Sequence, residues 1–246
     1  MAKDQTLISR GRYVARLAED EADLLAAAKL RAQCFDLDAP DRDRFDDFCR
    51  HVLIEDHETG ALVCCYRMQR FENGLGLHRS YAAQFYDLKG LQAFKGALVE
   101  LGRFCIYPGF RDPDILRVAW GAMTAYVDEH GIAMLFGCTS FTGTESEEYR
   151  DTFAVLKQKH MAPEHWSPGV KAGEVFHFGG QLPAKPDVKR AMQNMPSLLR
   201  TYLTMGGWVS DHAVVDRHMN TLHVFTGLEI GAIPPVRKRL LRAVAG

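Results

Sequence analysis

No apolar run in this 246-residue chain approaches the roughly 20 residues that a bilayer-spanning helix requires. The N-terminal stretch MAKDQTLISRGRYVARL lacks the continuous apolar core of a secretory signal, so a cytoplasmic location is expected. None of the six cysteines (Cys34, Cys49, Cys64, Cys65, Cys105, Cys138) falls in a C-x-x-C pair, which argues against a disulfide framework. The ten histidines supply no H-E-x-x-H and no Cys/His group of zinc spacing, so no metal ligands are assigned. No G-x-G-x-x-G follows the first strand, which removes a dinucleotide-binding reading. Basic residues are not in excess: 30 Lys and Arg face 31 Asp and Glu, so no nucleic-acid partner is expected.

What remains is the composition of a globular chain, 47% hydrophobic and 25% charged. The length suits one α/β domain over residues 1–246, with a C-terminal elaboration from about residue 185. GRYVARLA alternates as a strand, and EDEADLLAAAKLRAQCF has the acidic first turn and Ala/Leu spacing of a helix. HVLIEDHETGALVCCYRMQ reads as a hairpin. YAAQFYDLKGLQAF reads as a weaker helix, and a long strand runs from about Ala97 to Tyr107. DPDILRVAWGAMTAYVDEHG is a helix, and the almost wholly apolar IAMLFGCTSF is a strand in the middle of a covered sheet. TGTESEEYRDTFAVLKQKHM is a helix with Thr144 and Glu147 at capping-box spacing. Strands are expected at GEVFHFGG and TLHVFTGLEI, and a helix interrupted at Pro196 in PDVKRAMQNMPSLLRTYLTM. This order predicts an α/β fold with a mixed central sheet flanked by helices.

The chemistry concentrates in VELGRFCIYPGFRD, where Glu100 and Arg103 sit on one strand. Residues three apart on a regular strand face opposite ways, so the two share a face only if the strand bulges, and Gly102 is the expected place. The bland alternative is a Glu–Arg pair bracing the sheet. Acids crowd residues 19–58, while the tail PPVRKRLLRAVAG reverses the sign with Arg237, Lys238, Arg239 and Arg242. Arg31, Asp43, Asp46 and Arg67 each have an ordinary surface or turn reading. Together they supply an arginine for a carboxylate, and carboxylates for the ammonium groups of a diamino acid.

KLRAQCF (Arg31, Phe35), DRDRFDDFCRHVLIED (Asp43, Asp46), ALVCCYRM (Arg67) and VELGRFCIYPGFRD occur in one order at compatible distances. In this the chain resembles the ornithine N-acyltransferases of the GNAT-like superfamily, with LFGCTSFTGT and PSLLRTYLTMGGW extending the match, and it is distantly similar to acyl-homoserine-lactone synthases. The resemblance implies a GNAT-like acyltransferase fold. It implies an enzyme that moves a (3-hydroxy)acyl group from acyl carrier protein to the α-amine of ornithine, the first step of ornithine lipid synthesis. Glu100 and Arg103 would be catalytic, and Arg31, Phe35, Asp43, Asp46 and Arg67 would bind the amino acid. Gly102, Phe104, Cys105, Arg111, Ser140 and Phe141 would receive the acyl-phosphopantetheine arm, the donor substrate, with no separate cofactor. Phe35, Phe104 and Cys105 also suit simple packing.

One departure from the wider superfamily narrows the donor. Where acetyl-CoA users have a Gly-rich loop before the central helix, this chain has RDPDILRVAWGA. Pro113 lacks an N–H, and Asp112 and Asp114 repel phosphate, which disfavours a free CoA pyrophosphate there. Ser140 lacks a G-x-S-x-G elbow, so direct attack by the substrate amine is the simpler mechanism. The basic tail suits peripheral contact with an anionic inner-membrane surface. Three other readings stay open: the same chemistry on glutamine or another amino acid, a homoserine-lactone synthase, and a non-catalytic carrier-protein or membrane-surface module. Against the synthase, no Trp follows the Arg31/Phe35 motif.

Overall fold

A computed structural model describes residues 6–110, 112–180 and 182–245. In chain order the elements begin β1 (Thr6–Arg10), β2 (Tyr13–Leu17), α1 (Glu21–Phe35), β3 (Arg50–Asp56), β4 (Ala61–Phe71) and β5 (Tyr86–Asp87). Next come β6 (Ala97–Ile106), α2 (Pro113–Glu129), β7 (Ile132–Thr142), α3 (Arg150–Lys159), β8 (Gly169–Val170) and β9 (Val175–His177). The chain continues with α4 (Val188–Asn194), α5 (Ser197–Thr204), β10 (Trp208–Val209), β11 (His212–Asp216), β12 (Thr221–Glu229) and α6 (Pro235–Ala245). Among the described residues no helix is long and apolar enough to cross a membrane.

The chain divides into two compact units: residues up to 70, 101–132 and from 235 in one, 71–100 and 133–234 in the other. In the first, β1, β2, β3 and β4 pair antiparallel in sequence order, with Tyr13 opposite Asp56 and Val52 opposite Tyr66. The hairpin between β3 and β4 is fixed by Asp56, which is fully buried. Its carboxylate receives Arg12 and the Thr59 hydroxyl. Helix α1 starts where its acids predict. Asp20 caps it by accepting from Asp23 N at 2.9 Å, and it ends at Asp36 in the left-handed region (φ 55°). Helix α2 carries Pro113 in its first turn and is capped by Asp112, which accepts from Asp114 N at 2.9 Å. Its buried face is Ile115, Val118, Ala119, Ala122 and Met123, and α6 packs beside it.

In the second unit, β12 lies between β7 and β11, antiparallel to both, with Phe225 opposite Cys138 and His223 opposite Val214. The elaboration expected beyond residue 185 is therefore built into a sheet. Helices α4 and α5 bracket Pro196 as expected. Phe141, Tyr149, Phe153 and Phe178 form an aromatic core under α3.

Two local expectations fail here. Residues 81–94 form short 3-10 turns (Ala82–Gln84, Gly90–Ala93), not an α-helix. The backbone between them is held instead by β5–β8 pairing and by Ala172 N donating to Phe85 O, so tertiary bonds override a weak helical pattern. At Gly74 a Cβ would fall 1.9 Å from Leu91 O, an approach only glycine permits. The capping box at Thr144 is also absent. A 3-10 turn (Ser146–Tyr149) leads into α3, and Glu147 pairs with Arg150 at 3.1 Å.

Tyr86, on β5, is buried beneath this segment and donates to His223 O at 2.8 Å, with its oxygen 3.0 Å from His223 Nδ1. Burial pushes His223 down to about 4. The unfolded chain takes up this proton near pH 6.5 and the folded one does not. Stability from His223 is therefore complete above about pH 6.5 and is lost as pH falls toward 4. Urea unfolding at pH 7.5 and pH 5 is expected to show His223→Gln losing about 2 kcal/mol less than wild type over that interval. Equal losses would remove His223 as the cause.

Candidate active site

A group of three guanidiniums and three carboxylates occupies the first unit. Arg31 comes from α1 and Arg67 from β4, while Arg103 comes from β6; Asp41, Asp43 and Asp46 come from the connection after α1. Arg31 clamps Asp46 with two bonds, Nη1–Oδ1 at 2.8 Å and Nη2–Oδ2 at 2.9 Å. Arg67 clamps Asp43 in the same way at 2.7 and 2.9 Å, and its Nη1 reaches Asp46 Oδ1 at 2.7 Å. Arg103 reaches Asp41 Oδ2 through Nε at 2.7 Å and Asp43 Oδ2 through Nη2 at 3.2 Å.

Local sequence explains how one short connection aims several carboxylates. Asp43 Oδ1 accepts from Phe45 N at 2.9 Å, and Asp46 Oδ2 accepts from Asp43 N at 3.1 Å. These Asx-type bonds lock the DRDRFDD turn. Burial opposes ionisation of Asp46, but Arg31 and Arg67 outweigh it and hold the carboxyl well below its usual range. Asp43 is lowered against burial by Arg67 and Arg103. His51, opposite Arg67 across β3 and β4, is buried, and desolvation lowers its pKa. The group is charge-balanced without it.

This geometry corrects the expected substrate-binding role. Arg31, Arg67 and Asp46 have side chains only 2–4% exposed, and each is already engaged by opposite charge. Their charges are met within the protein, although Asp46 also lines a neighbouring cavity. Only the Asp43–Arg103 edge, with side chains 23% and 12% exposed, meets solvent. Phe35 is half-buried against the cluster of Ala27, Leu30, Leu53, Cys65 and Cys105, so its role is packing.

The irregularity expected at Gly102 is found one residue on. Arg103 has φ +54°, a left-handed conformation uncommon for a side-chain-bearing residue. A Cβ at Gly102 would stand 3.4 Å from Arg67 Nε, an ordinary contact, so the space there does not by itself require glycine. In the second unit, Glu100 is 5% exposed, and its two oxygens accept from Tyr81 N at 2.8 Å and Ala82 N at 2.7 Å. The carboxylate anchors the 3-10 turn that begins there.

The residues expected to receive the donor divide. Phe104 stacks on Tyr66 at 5.5 Å between centroids. Cys105 is in the core with its sulfur 3.6 Å from that of Cys65, so it is closed to a donor. Ser140 is exposed, but Phe141 alternates to the opposite face of β7 and packs between Tyr149 and Phe153 at 1% exposure. Phe141 therefore cannot contact a donor. Arg111 lies outside the described residues. At the start of α2, the Asp112 carboxylate stands over the helix N-terminus and accepts from the Tyr13 hydroxyl at 3.0 Å. The position that binds anions on other helices is filled by the protein's own anion.

Asp41 is the functional candidate that sequence reasoning passed over. Its signal was charge arithmetic, since two buried arginines and one at their edge call for a third carboxylate. A cavity of about 700 Å³ adjoins the cluster, with Asp46 and His51 in its lining and Glu19, Asp20, Glu21 and Asp47 making it acidic.

Residues 27–121 match the acetyltransferase (GNAT) domain family. The chain is 32% identical to the L-ornithine N(alpha)-acyltransferase of Rhodobacter capsulatus, over 90% of this chain and 91% of that protein. It is 30% identical to the L-ornithine N(alpha)-acyltransferase of Brucella abortus, over 94% of this chain and 89% of the relative. Among solved structures, FeeM, an N-acyl amino acid synthase from uncultured soil microbes, superposes with a TM-score of 0.52 at 13% identity, covering 89% of this chain and 93% of FeeM. The loading GNATL domain of CurA from Lyngbya majuscula gives 0.51 at 14%, covering 90% and 99%. The fold is that of the GNAT acyltransferases.

Removing one partner from a buried ionic group leaves an uncompensated charge. Arg31→Ala is expected to cost about 3–5 kcal/mol in urea unfolding, against less than about 0.5 kcal/mol for exposed Arg117→Ala. A loss under about 1 kcal/mol for Arg31→Ala would show that the cluster is not a brace.

Proposed function

The chain belongs to the L-ornithine N(alpha)-acyltransferase family and is an acyltransferase; we propose that it joins a (3-hydroxy)acyl group to the α-amine of ornithine, taking it from the phosphopantetheine thioester of acyl carrier protein. The reaction needs a neutral amine, a fixed thioester carbonyl, donors for the oxyanion and an acceptor for the amine's proton. The amine attacks the carbonyl carbon, the C–S bond breaks, and the thiol leaves with the carrier. Glu100 is the proton acceptor in this reading, directly or through one water. Its two backbone bonds fix its orientation. In the same reading, backbone N–H groups beside the left-handed residue Arg103 of β6 are the oxyanion donors.

The observation that carries the donor assignment is Asp112 at the N-terminus of α2. A carboxylate held there by Tyr13 and Asp114 N opposes a pyrophosphate, which supports a donor anchored by its own protein. The acidic cavity beside the cluster supports a cationic acceptor.

Helix α6 supports peripheral membrane contact as the site of product release. Val236 and Leu240 stand on its outer face at 58% and 56% exposure, with Arg237 and Arg239 exposed beside them. Bases in a first helical turn oppose the helix dipole, so their placement suits an external anion better than the helix itself.

Incubating the protein with 3-hydroxyacyl-carrier protein and a panel of amino acids is expected to release thiol and form acyl-ornithine in preference to acyl-glutamine. Glu100→Gln is expected to lower kcat by roughly 100-fold at unchanged circular dichroism. A near-normal rate would leave Glu100 as an anchor of the 81–82 turn alone. In co-sedimentation with vesicles containing phosphatidylglycerol, Arg237→Glu/Arg239→Glu is expected to weaken binding by roughly ten-fold or more. Equal binding to phosphatidylcholine vesicles would defeat the membrane reading.

A further inference from the structure

We propose that Asp41 is a positioning residue of the acyl transfer: its carboxylate holds Arg103 in the left-handed backbone conformation that opens β6 to the donor thioester. The proposal rests on the reading that N–H groups at this turn receive the donor.

Left-handed backbone is disfavoured for an L-residue by roughly ten-fold or more relative to the right-handed form, and persists only where surrounding contacts over-determine it. At Arg103 those contacts are on the side chain. Its Nε meets Asp41 Oδ2 at 2.7 Å, and its Nη2 lies 3.4 Å from Asp41 Oδ1 and 3.2 Å from Asp43 Oδ2. The guanidinium is thus gripped from two carboxylates.

Asp41 can act as the fixed point because it is itself immobilised. Its N–H donates to Ala28 O at 3.1 Å. Its carbonyl accepts from Arg31 Nη2, and its Oδ2 lies 3.3 Å from Arg31 Nε. Arg31 is 2% exposed and doubly bonded to Asp46, so Asp41 is tied to the buried floor of the cluster. Pro40 precedes it and narrows the backbone choices of the approach. Gly102, the residue before the turn, packs on Arg67 of the same cluster. The cluster therefore acts on the backbone of β6 from two adjacent residues. Asp43 is less suited to the role, being more exposed than Asp41 and already clamped to Arg67.

Glycine adopts φ near +54° without penalty, which gives a test that separates backbone positioning from direct contact. Asp41→Ala is expected to raise KM for the acyl-carrier thioester at least ten-fold, with KM for ornithine within two-fold and faster amide exchange in peptides covering 101–106. In Asp41→Ala/Arg103→Gly one carboxylate and one guanidinium are removed together, so Arg31, Arg67, Asp43 and Asp46 remain balanced. The double variant is expected to recover at least ten-fold in kcat/KM for the donor and to return the exchange toward wild type. Asp41→Asn, nearly isosteric, serves if the alanine variant fails to fold, and is expected to shift the same KM. The proposal is overturned if the double variant is no better than Asp41→Ala, which would mean that the Arg103 guanidinium itself meets the donor. It is also overturned if the acceptor KM rises in place of the donor KM. Exchange that follows the expected pattern while wild type transfers no acyl group to ornithine would sink the functional reading and leave the backbone role of Asp41 intact.

Discussion

Arginine and aspartate side chains can be buried together only if every charge finds an opposite one at hydrogen-bonding distance. Here three of each satisfy one another, and several features near them follow from that constraint. Helix α1 can turn a guanidinium inward because Asp46 waits beneath it. Strand β4 can place Arg67 inside a sheet because the DRDRFDD turn delivers two carboxylates to it. Gly102 lies beside the Arg67 side chain. The left-handed backbone of Arg103 sits where the cluster meets the surface, so the brace and the turn in β6 share the same residue.

This chain places its own carboxylates against groups that could otherwise hold an external anion. Asp112 occupies the anion position of α2, and Asp43 and Asp46 occupy the guanidiniums that were expected to meet a substrate carboxylate. Glu100 is the reverse case. Its buried carboxylate accepts from two backbone N–H groups, those of Tyr81 and Ala82.

Much of the fold was legible because its signals are local. The acids of α1 and the Asp-Pro start of α2 specify caps that depend on neighbours within four residues. Alternation along β2 and the break at Pro196 are equally local. Residues 81–94 failed for the opposite reason: their backbone bonds go to residues near 170, and no helical pattern within the segment reports that. The capping box at Thr144 failed because Glu147 had a better partner in Arg150.

At the site, the sequence by itself determined the cast and the family: Arg31, Asp43, Asp46, Arg67 and Arg103 stand in one cluster. Only the tertiary structure decided who partners whom. A charge is satisfied by whatever lies within about 3 Å, and Asp41 reaches Arg103 across 62 positions of chain that no spacing rule spans. Glu100 binds main-chain N–H groups, which every residue but proline carries and which no side-chain pattern can mark. The left-handed turn fell on Arg103 and not on Gly102, and two carboxylates distant in sequence hold that arginine.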